Sequence, residues 1–476
     1  MPTSPALLWG LAFAAGMLRL AVALATVDVP GDGPTRAALG WQWLQEPRLV
    51  RDGSWLPFGE ISVGLSALLV PDPKWAARVL SLVTGTATVP LFASLAGCVF
   101  GPAVGLAAAA ALAFLPIHVT LSASSLVDAP ALFFTLLALR LGLAPSDGRS
   151  RPVFFLGTAL AGGIACGLRY EAWVLLLLLP LHRAFARRRP AEAVLLFALL
   201  SPLPLFWTFT ALGGPSGLYA AFRKVAESGA SIGGQAVPLG EAVAIALGET
   251  AVLAGPATLP LAACGLLLAL GTAGKAEAAE RLLWVSFWLL ALLLVFLLAR
   301  ERGPSFVDRY ALSAAVFALP LAFWALEPLL GERTRAVLLV AALVGSTGIA
   351  TWIARPELYL ARRFPPEIVG LAGWLDEKRA PGTAVLFTRA GWLPTYVPLF
   401  HSMRRDDYRI VSWYLQDAAL RAFLVRRRPQ ILITREGDEA FLARIRAAGA
   451  EPGGVLARFG KLEVRELRLP GPPPRG

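Results

Sequence analysis

Long apolar runs are the feature that most constrains this chain. A run of about 20 apolar residues is long enough to cross the hydrocarbon core of a bilayer, and the sequence contains eleven such runs. We predict membrane spans over residues 6–27, 76–97, 102–121, 124–143, 153–168, 172–186, 191–212, 249–270, 282–299, 310–328 and 336–354. The fold class that follows is a polytopic α-helical membrane protein with about eleven transmembrane helices.

Charge is distributed unevenly along the chain. Only 16% of the 476 residues are charged, whereas soluble domains average about 25%. The last 122 positions, from Arg355 onward, nevertheless contain 34 of the 76 charged residues. We therefore predict a membrane body over 1–354, an extracytoplasmic domain over 355–469 and a disordered tail over 470–476.

The polar domain has its own pattern of elements. Short β-rich runs alternate with helical stretches, which is typical of a small α/β domain. The predicted strands are 384–388, 409–413, 430–434, 455–459 and 462–467, and the predicted helices are 368–379, 415–427 and 439–448. Gly460-Lys461 separates the last two strands, as in a β-hairpin.

The outer loops are unequal in length. Residues 28–75 form a long first loop that contains two amphipathic stretches, 35–44 and 61–70. We predict helices at the membrane interface for both stretches. Lysines and arginines number ten on each side, so the positive-inside count does not decide the orientation. Clustering of arginines in short loops such as 187–189 favours a cytoplasmic N-terminus.

This orientation places the polar domain on the extracytoplasmic side of the cell membrane, that is, of the inner or plasma membrane. Ala23-Leu24-Ala25 resembles a signal-peptidase site, but no lysine or arginine precedes the apolar run and Arg19 interrupts it. An uncleaved first helix is therefore the interpretation we favour. The three cysteines lie in apolar stretches and do not indicate a redox compartment.

The net charge of +12 does not indicate a nucleic-acid partner. No basic stripe carries interleaved aromatic residues, and no nucleic-acid-binding motif is present. The polar domain also lacks a glycine-rich phosphate loop and a cluster of metal ligands. The partner that the apolar body itself predicts is membrane lipid.

Two carboxylates lie where predicted spans meet the outer loops. Asp32 follows the first span in a turn rich in glycine and proline, and Asp128 opens the fourth span shortly after His118. Ionisable groups at such positions are costly and usually functional. The alternative is that each carboxylate only shapes a turn or caps a helix.

Three arginines stand at the same predicted depth. Arg78, Arg169 and Arg309 each lie near the outer end of a span. Guanidinium groups bind phosphate in a bidentate manner, so three together suit an anionic headgroup. Single arginines are more often snorkelling anchors, and Arg169 has a second option, which is to pair with Glu171 inside the bundle.

Together these residues resemble the glycosyltransferase C superfamily, membrane enzymes that use polyprenyl-phosphate-linked sugars. The superfamily includes protein O-mannosyltransferases and the lipid A aminoarabinose transferase. The similar segments are Asp32-Gly33-Pro34-Thr35-Arg36, Trp55-Leu56-Pro57, residues 77–82, residues 114–118 with 122–128, residues 167–173, and Asp308-Arg309-Tyr310. The resemblance covers the body and is strongest over residues 6–175.

The resemblance implies transfer of a sugar from a polyprenyl phosphate to an acceptor hydroxyl, with inversion at the anomeric carbon. Asp32 and Asp128 are then the catalytic candidates, with Asp32 as general base. Arg78, Arg169 and Arg309 would bind the donor phosphate. The substrate-binding candidates are Arg36, His118, Tyr170, Glu171 and Tyr310. The lipid-linked sugar is the co-substrate.

The chain departs from the superfamily pattern in two places. Gly33 stands where several members carry a second acid, so the acidic pair that would bind a metal is absent. We assign no metal ligand, and a divalent cation stays an open option. The loop lysine that some members use for the donor phosphate is missing from 55–58.

Two other functional classes stay open. A lipid-linked glycan flippase or transporter would show charged or broken helices near the bilayer midplane. A non-catalytic envelope assembly protein would not need Asp32 and Asp128 to converge.

Overall fold

The chain forms two compact units. The computed structural model describes residues 5–26, 32–47, 49, 56–143, 151–211, 214, 236–271, 278–302, 308–327, 348, 366–380, 383–387, 408–410 and 417–469. The first unit comprises Met1–Ala25 and Leu80–Tyr359, and the second comprises Thr26–Val79 and Leu360–Gly476. The long first loop, which we grouped with the body, thus belongs to the same unit as the C-terminal residues.

The first unit is helical throughout its described part. Its helices are α1 (Pro5–Ala25), α4 (Pro73–Phe100, which begins in the second unit), α5 (Pro102–Phe114), α6 (Pro116–Ser122), α7 (Asp128–Leu143), α8 (Arg151–Leu168), α9 (Leu175–Leu181), α10 (Pro190–Leu200), α11 (Pro202–Phe206), α12 (Leu239–Ala254), α13 (Thr258–Gly271), α14 (Ala278–Arg302) and α15 (Ala311–Ala325). Short 3₁₀ turns, Tyr170–Val174 and Asp308–Tyr310, precede α9 and α15.

Three of these helices, α1, α4 and α14, are long and apolar enough to cross a membrane. Three further candidates are bent pairs: α5 with α6 at 62°, α10 with the segment from Pro202 to Thr210 at 44°, and α12 with α13 at 101°. The described residues thus contain three to six candidate spans by length and composition. The predicted eleventh span, 336–354, lies outside the described residues apart from Gly348.

The bends correct the sequence-based expectation of continuous spans. The predicted span 249–270 is wrong as a single helix, because α12 starts at Leu239 and the chain turns between Ala254 and Thr258. Gly255 adopts a φ of 100° there and Pro256 follows it. A left-handed glycine followed by proline ends a helix because proline lacks the N–H that would continue it. The break at Leu115 likewise precedes a proline, Pro116.

Close backbone contact holds the helices of the first unit together. A Cβ on Gly265 of α13 would lie 2.3 Å from the carbonyl oxygen of Leu321 in α15. Trp284 of α14 packs on the ring of Phe317 with centroids 4.9 Å apart, and its indole N–H donates to the Phe317 carbonyl oxygen at 2.8 Å. These contacts fix α13, α14 and α15 against one another.

The two helices predicted in the first loop are present and belong to the second unit, and their place at the membrane interface stays a prediction. They are α2 (Asp32–Gln45) and α3 (Pro57–Leu69). The two helices cross at Gly40 and Gly64, where a Cβ would lie 2.5 Å from Val63 and Trp43 respectively. This spacing leaves no room for a larger residue at the crossing.

The C-terminal part of the second unit confirms the small α/β architecture. Helices α16 (Pro366–Lys378), α17 (Asp417–Arg427) and α18 (Glu439–Ala447) accompany a five-stranded sheet of order β2-β1-β3-β5-β4. The strands are β1 (Val385–Phe387), β2 (Tyr408–Ile410), β3 (Ile431–Arg435), β4 (Glu451–Phe459) and β5 (Leu462–Arg468). Strands β4 and β5 form the predicted hairpin, with Gly460 at φ 56°.

Candidate active site

Asp128 is the first residue of α7. Pro130 occupies the first turn of that helix, where its missing N–H costs nothing. The Asp128 side chain is 3% exposed, and its Oδ1 lies 2.7 Å from Nη1 of Arg169. Its Oδ2 is buried and has no hydrogen-bond partner among the described residues. The Asp128 carboxylate therefore forms a tertiary ion pair with Arg169 and does more than cap its own helix.

Arg169 lies in the turn between α8 and α9 and pairs with a second carboxylate. Its Nε lies 3.0 Å from both Oε1 and Oε2 of Glu171, and its Nη2 also donates to Oε1. The pairing of Arg169 with Glu171 that the sequence left open is thus present. One guanidinium binds Asp128 on one edge and Glu171 on the other, so it fixes the separation of the two carboxylates.

Opposite charges determine the ionisation of this cluster. Burial is the largest single influence, and it would lower the pKa of Arg169 and raise the pKa of Glu171. The charges of Asp128 and Glu171 outweigh burial and raise the pKa of Arg169 above its ordinary value. Arg169, together with the more distant Arg309, holds the pKa of Glu171 below 4.5. Arg169 and Glu171 are therefore charged at neutral pH.

Arg309 and Tyr310 complete the polar part of the site. The Cζ atoms of Arg169 and Arg309 lie 4.9 Å and 5.1 Å from the centre of the Tyr310 ring. Such distances are typical of cation–π contacts. Arg309 Nη2 also donates to the Tyr310 hydroxyl at 3.3 Å. One aromatic ring thus holds both arginines near the two carboxylates.

A cavity of about 250 Å³ opens beside these groups. Both carboxylates and both arginines belong to its lining. The apolar wall of the cavity consists of lining residues from α7, α14 and α15: Ala131, Leu132, Phe287, Leu290, Ala291, Leu294, Leu312 and Phe317. The cavity therefore suits a ligand that has a charged head and a hydrocarbon chain.

Tyr170 is anchored at the edge of the cavity. Its hydroxyl accepts a hydrogen bond from the Trp207 indole N–H at 3.0 Å, and its ring lies 5.0 Å from that of Trp173. Trp207 was not a sequence candidate, because a buried tryptophan in an apolar run carries no signal of its partner. The apolar wall from α14 was missed for the same reason.

The structure brings six of the ten candidates to this cavity: Asp128, Arg169, Tyr170, Glu171, Arg309 and Tyr310. His118 is not among the lining residues. Its Nδ1 lies 2.8 Å from Nη2 of Arg19, a residue that sequence reasoning noted only as an interruption of an apolar run. The substrate-binding role predicted for His118 stays a prediction, and the partner of its Nδ1 is Arg19.

The remaining candidates belong to the second unit. Arg36 and Arg78 are buried there, and Arg78 Nη1 donates to the carbonyl oxygen of Thr26 at 3.0 Å. Asp32 begins α2, but its side chain lies outside the described residues. The role predicted for Asp32 thus stays a prediction.

The described residues contain no group of three or more histidine, cysteine, aspartate or glutamate side chains that would hold a metal ion. Asp128 and Glu171 are the carboxylates nearest the cavity, and both engage Arg169. A guanidinium between two carboxylates occupies the position that a shared divalent cation would need. We therefore assign no metal ligands to the described residues.

Residues 57–209 match the dolichyl-phosphate-mannose-protein mannosyltransferase family, and a search of the curated proteins found no match. The chain is similar to ArnT from Cupriavidus metallidurans bound to undecaprenyl phosphate, with a TM-score of 0.61 and 12% identity over 98% of both chains.

Archaeoglobus fulgidus oligosaccharyltransferase is also similar. The structure tethered with an acceptor peptide matches with a TM-score of 0.57 and 12% identity, over 96% of this chain and 74% of that one. The archaeal oligosaccharyltransferase AglB from Archaeoglobus fulgidus, in complex with an inhibitory peptide and a dolichol-phosphate, matches with a TM-score of 0.54 and 12% identity, over 96% of this chain and 74% of that one. At these identities the similarity concerns the fold. The chain has the fold of the glycosyltransferase C superfamily, which confirms the resemblance drawn from its sequence.

Proposed function

We propose that this protein is a membrane glycosyltransferase that transfers a sugar from a polyprenyl-phosphate donor to an acceptor hydroxyl. The observation that carries the proposal is the cavity whose lining combines two carboxylates and two arginines with an apolar wall. A lipid-linked sugar phosphate has the same two chemical halves. The matched family and the ArnT and AglB structures are named for, or bound to, polyprenyl phosphates, which supports this substrate class.

The donor phosphate is assigned to Arg309, with Arg169 adding its positive charge from the side of Asp128. Negative charge grows on the phosphate as the bond to the sugar breaks, and fixed cations stabilise that charge without rearranging. The two carboxylates and two arginines of the cavity sum to zero charge. The site is thus balanced before the donor arrives, and donor binding makes it anionic.

An acceptor hydroxyl is a weak nucleophile and needs a base within hydrogen-bond reach. We retain Asp32 as the general base, since its place after the first span and the resemblance both favour it. Asp128 is assigned to the acceptor or to the sugar, because its Oδ2 is unused by the described residues. Attack opposite the phosphate would give inversion at the anomeric carbon.

The hydrocarbon chain of the donor is assigned to the apolar wall formed by α7, α14 and α15. Its phosphate then lies at the ends of these helices, at the outer face of the cell membrane. The C-terminal α/β domain is proposed to be extracytoplasmic and to receive a glycan, lipid or protein acceptor. No nucleic-acid partner is proposed.

The test uses purified protein in nanodiscs and a radiolabelled polyprenyl-phosphate sugar. Asp32→Asn and Asp128→Asn are each expected to lower kcat by about 100-fold or more, as loss of general-base catalysis or of a positioned acceptor does. Asp72→Asn is the matched control, because among the described residues the side chain of Asp72 accepts from the backbone N–H of Trp75 alone, and asparagine caps equally well. Turnover like that of the wild type in Asp32→Asn would remove Asp32 as the base.

The second candidate function is transport of a lipid-linked glycan. It is favoured by the three bent helix pairs and by the buried Arg19 inside α1, since transporters use broken helices near the midplane. Vesicles that contain a fluorescent lipid-linked sugar separate the two. A transporter would move the intact lipid across the bilayer, whereas the glycosyltransferase would release free polyprenyl phosphate.

A further inference from the structure

Arg19 is a fully buried cation in the middle of an apolar helix. Its side chain in α1 is 0% exposed. Nη1 donates to the carbonyl oxygens of Ala15 at 2.8 Å and Ala113 at 3.0 Å, and Nη2 lies 2.8 Å from Nδ1 of His118. Among the described residues no carboxylate pairs with it. A charge held at this cost in a candidate span is rarely without a role.

The Ala113 carbonyl is available because helix α5 breaks. In a continuous helix it would accept from the N–H of Ile117, four residues later. Instead α5 ends at Phe114 and α6 starts at Pro116, with a bend of 62° between them. Arg19 supplies the donor that this carbonyl needs in a buried setting, where an unpaired carbonyl would cost about 1–3 kcal/mol.

His118 lies on the other side of the same break. Arginine only donates hydrogen bonds, so Nδ1 of His118 must accept and its ring proton resides on Nε2. Arg19 therefore binds Ala113 before the break and His118 after it. A planar guanidinium with two fixed contacts sets the direction in which α6 leaves α5.

Local hydrogen bonds fix the segment that joins α6 to α7. Ser122 Oγ donates to the His118 carbonyl oxygen at 2.6 Å, and Ser124 Oγ donates to that of Leu121 at 2.9 Å. Ser81 Oγ of α4 donates to the Leu126 carbonyl oxygen at 2.7 Å. Asp128 follows two residues later, so the direction of α6 determines where α7 begins.

We infer that Arg19 and His118 are positioning residues for Asp128: they lock the break between α5 and α6 and so place the Asp128 carboxylate at Arg169. This inference rests on the proposed function, and it gives His118 a role remote from the substrate. Displacing a catalytic group by about 1 Å can cost on the order of 100-fold in rate. Loss of the lock should therefore appear in kcat, with donor binding at Arg309 unchanged.

The test compares variants that keep or remove the acceptor at Nδ1. His118→Asn places an amide oxygen near the position of Nδ1, whereas His118→Leu leaves Arg19 without that partner. We expect His118→Leu and Arg19→Lys to lower kcat at least tenfold with the donor KM changed less than twofold. His118→Asn is expected to stay within about threefold of wild-type kcat, on the scale of one hydrogen bond.

Arg183→Gln is the matched control. Arg183 is likewise buried, and its Nη2 donates to the carbonyl oxygen of Gly142 at 2.8 Å, at the end of α7 remote from Asp128. Its Nη1 also lies 3.5 Å from Oε2 of Glu192. It should lose thermal stability with kcat unchanged. A purely structural role for Arg19 and His118 predicts the same behaviour in their variants, and this result would overturn the inference, as would equal kcat in His118→Leu and His118→Asn.

Failure of the proposed function looks different. If the wild type transfers no sugar, both proposals fall together. If the wild type transfers sugar and Asp128→Asn is inactive, but His118→Leu and Arg19→Lys keep full kcat, only the positioning role is refuted. If the Arg19→Leu variant folds, its kcat is measured as well. If it does not fold, the kcat of Arg19→Lys, which keeps the positive charge, decides whether Arg19 has the positioning role.

Discussion

The cluster of Arg169 with Asp128 and Glu171 makes the sharpest prediction about this site. Arg169→Gln would leave two carboxylates, 3% and 19% exposed, without their shared cation. Breaking a buried ion pair by removing one partner costs about 3–5 kcal/mol. Because Glu171 retains some contact with solvent, we expect the lower figure, a loss of about 3 kcal/mol in the free energy of unfolding. Loss of the Arg169 charge, which is assigned to the donor phosphate, should separately lower kcat/KM by about 100-fold.

The same reasoning predicts partial recovery in a double variant. Arg169→Gln with Glu171→Gln removes one negative charge along with the positive one, so the cavity is again neutral. Replacing both partners of a pair costs far less than removing one. We expect the double variant to regain at least tenfold of the kcat/KM lost in Arg169→Gln, although Asp128 stays less well positioned.

The assay is sugar transfer by purified protein in nanodiscs, measured over a series of donor concentrations so that kcat and KM are separated. Arg140→Gln is the control: Arg140 lies on the same helix as Asp128, but its Nε donates to Ser94 Oγ, away from the cavity. The reasoning is refuted if Arg169→Gln turns over like the wild type, or if the double variant is no faster than the single one.

Three further predictions concern phosphate binding, pH and packing. Arg309→Gln should raise the donor KM about tenfold in titrations of initial rate, the scale of one charge-assisted contact, while Gln at the exposed Arg300 should leave it unchanged. Arg169 holds the pKa of Glu171 below 4.5, so the stabilising pair should be fully present above that pH and be lost as pH falls through the lowered pKa. A pH–rate profile of the wild type should therefore show its acidic limb below about pH 4.5, and the limb should lie at higher pH in Arg169→Gln. Coincident limbs in the two proteins would contradict this. Gly265→Val should lower the thermal midpoint without changing donor KM, because its Cβ would meet the Leu321 carbonyl oxygen at 2.3 Å and overpacking costs about 1–3 kcal/mol.

The second unit was the part most readily predicted from sequence. Alternating apolar residues around Gly460-Lys461 predicted the β4–β5 hairpin, and the structure has it with the expected glycine conformation. The helices α2 and α3 of the first loop were likewise expected from their amphipathic spacing. Period and turn residues are local properties, so they can be read without knowledge of the partners.

The breaks in the apolar segments were not predicted. Hydropathy over a window sums residues and does not respond to a single Gly255-Pro256 or Pro116 within it. Hydropathy does not distinguish a proline inside a helix from a proline that ends one. Pro90 and Pro320 lie inside α4 and α15 without ending them. Which outcome occurs depends on whether neighbouring groups satisfy the freed carbonyls, as Arg19 does for Ala113.

The sequence by itself determined the class of this protein: apolar runs long enough for a bilayer, a polar α/β domain, and acids and arginines at the ends of the runs. Only the tertiary structure decided that Arg169 joins Asp128 to Glu171, that Tyr310 contacts both Arg169 and Arg309, and that His118 serves Arg19. Hydropathy and period depend on residues close together in the chain. An ion pair such as that of Arg169 with Asp128 depends on which distant turns meet, and only the packing of the helices determines that.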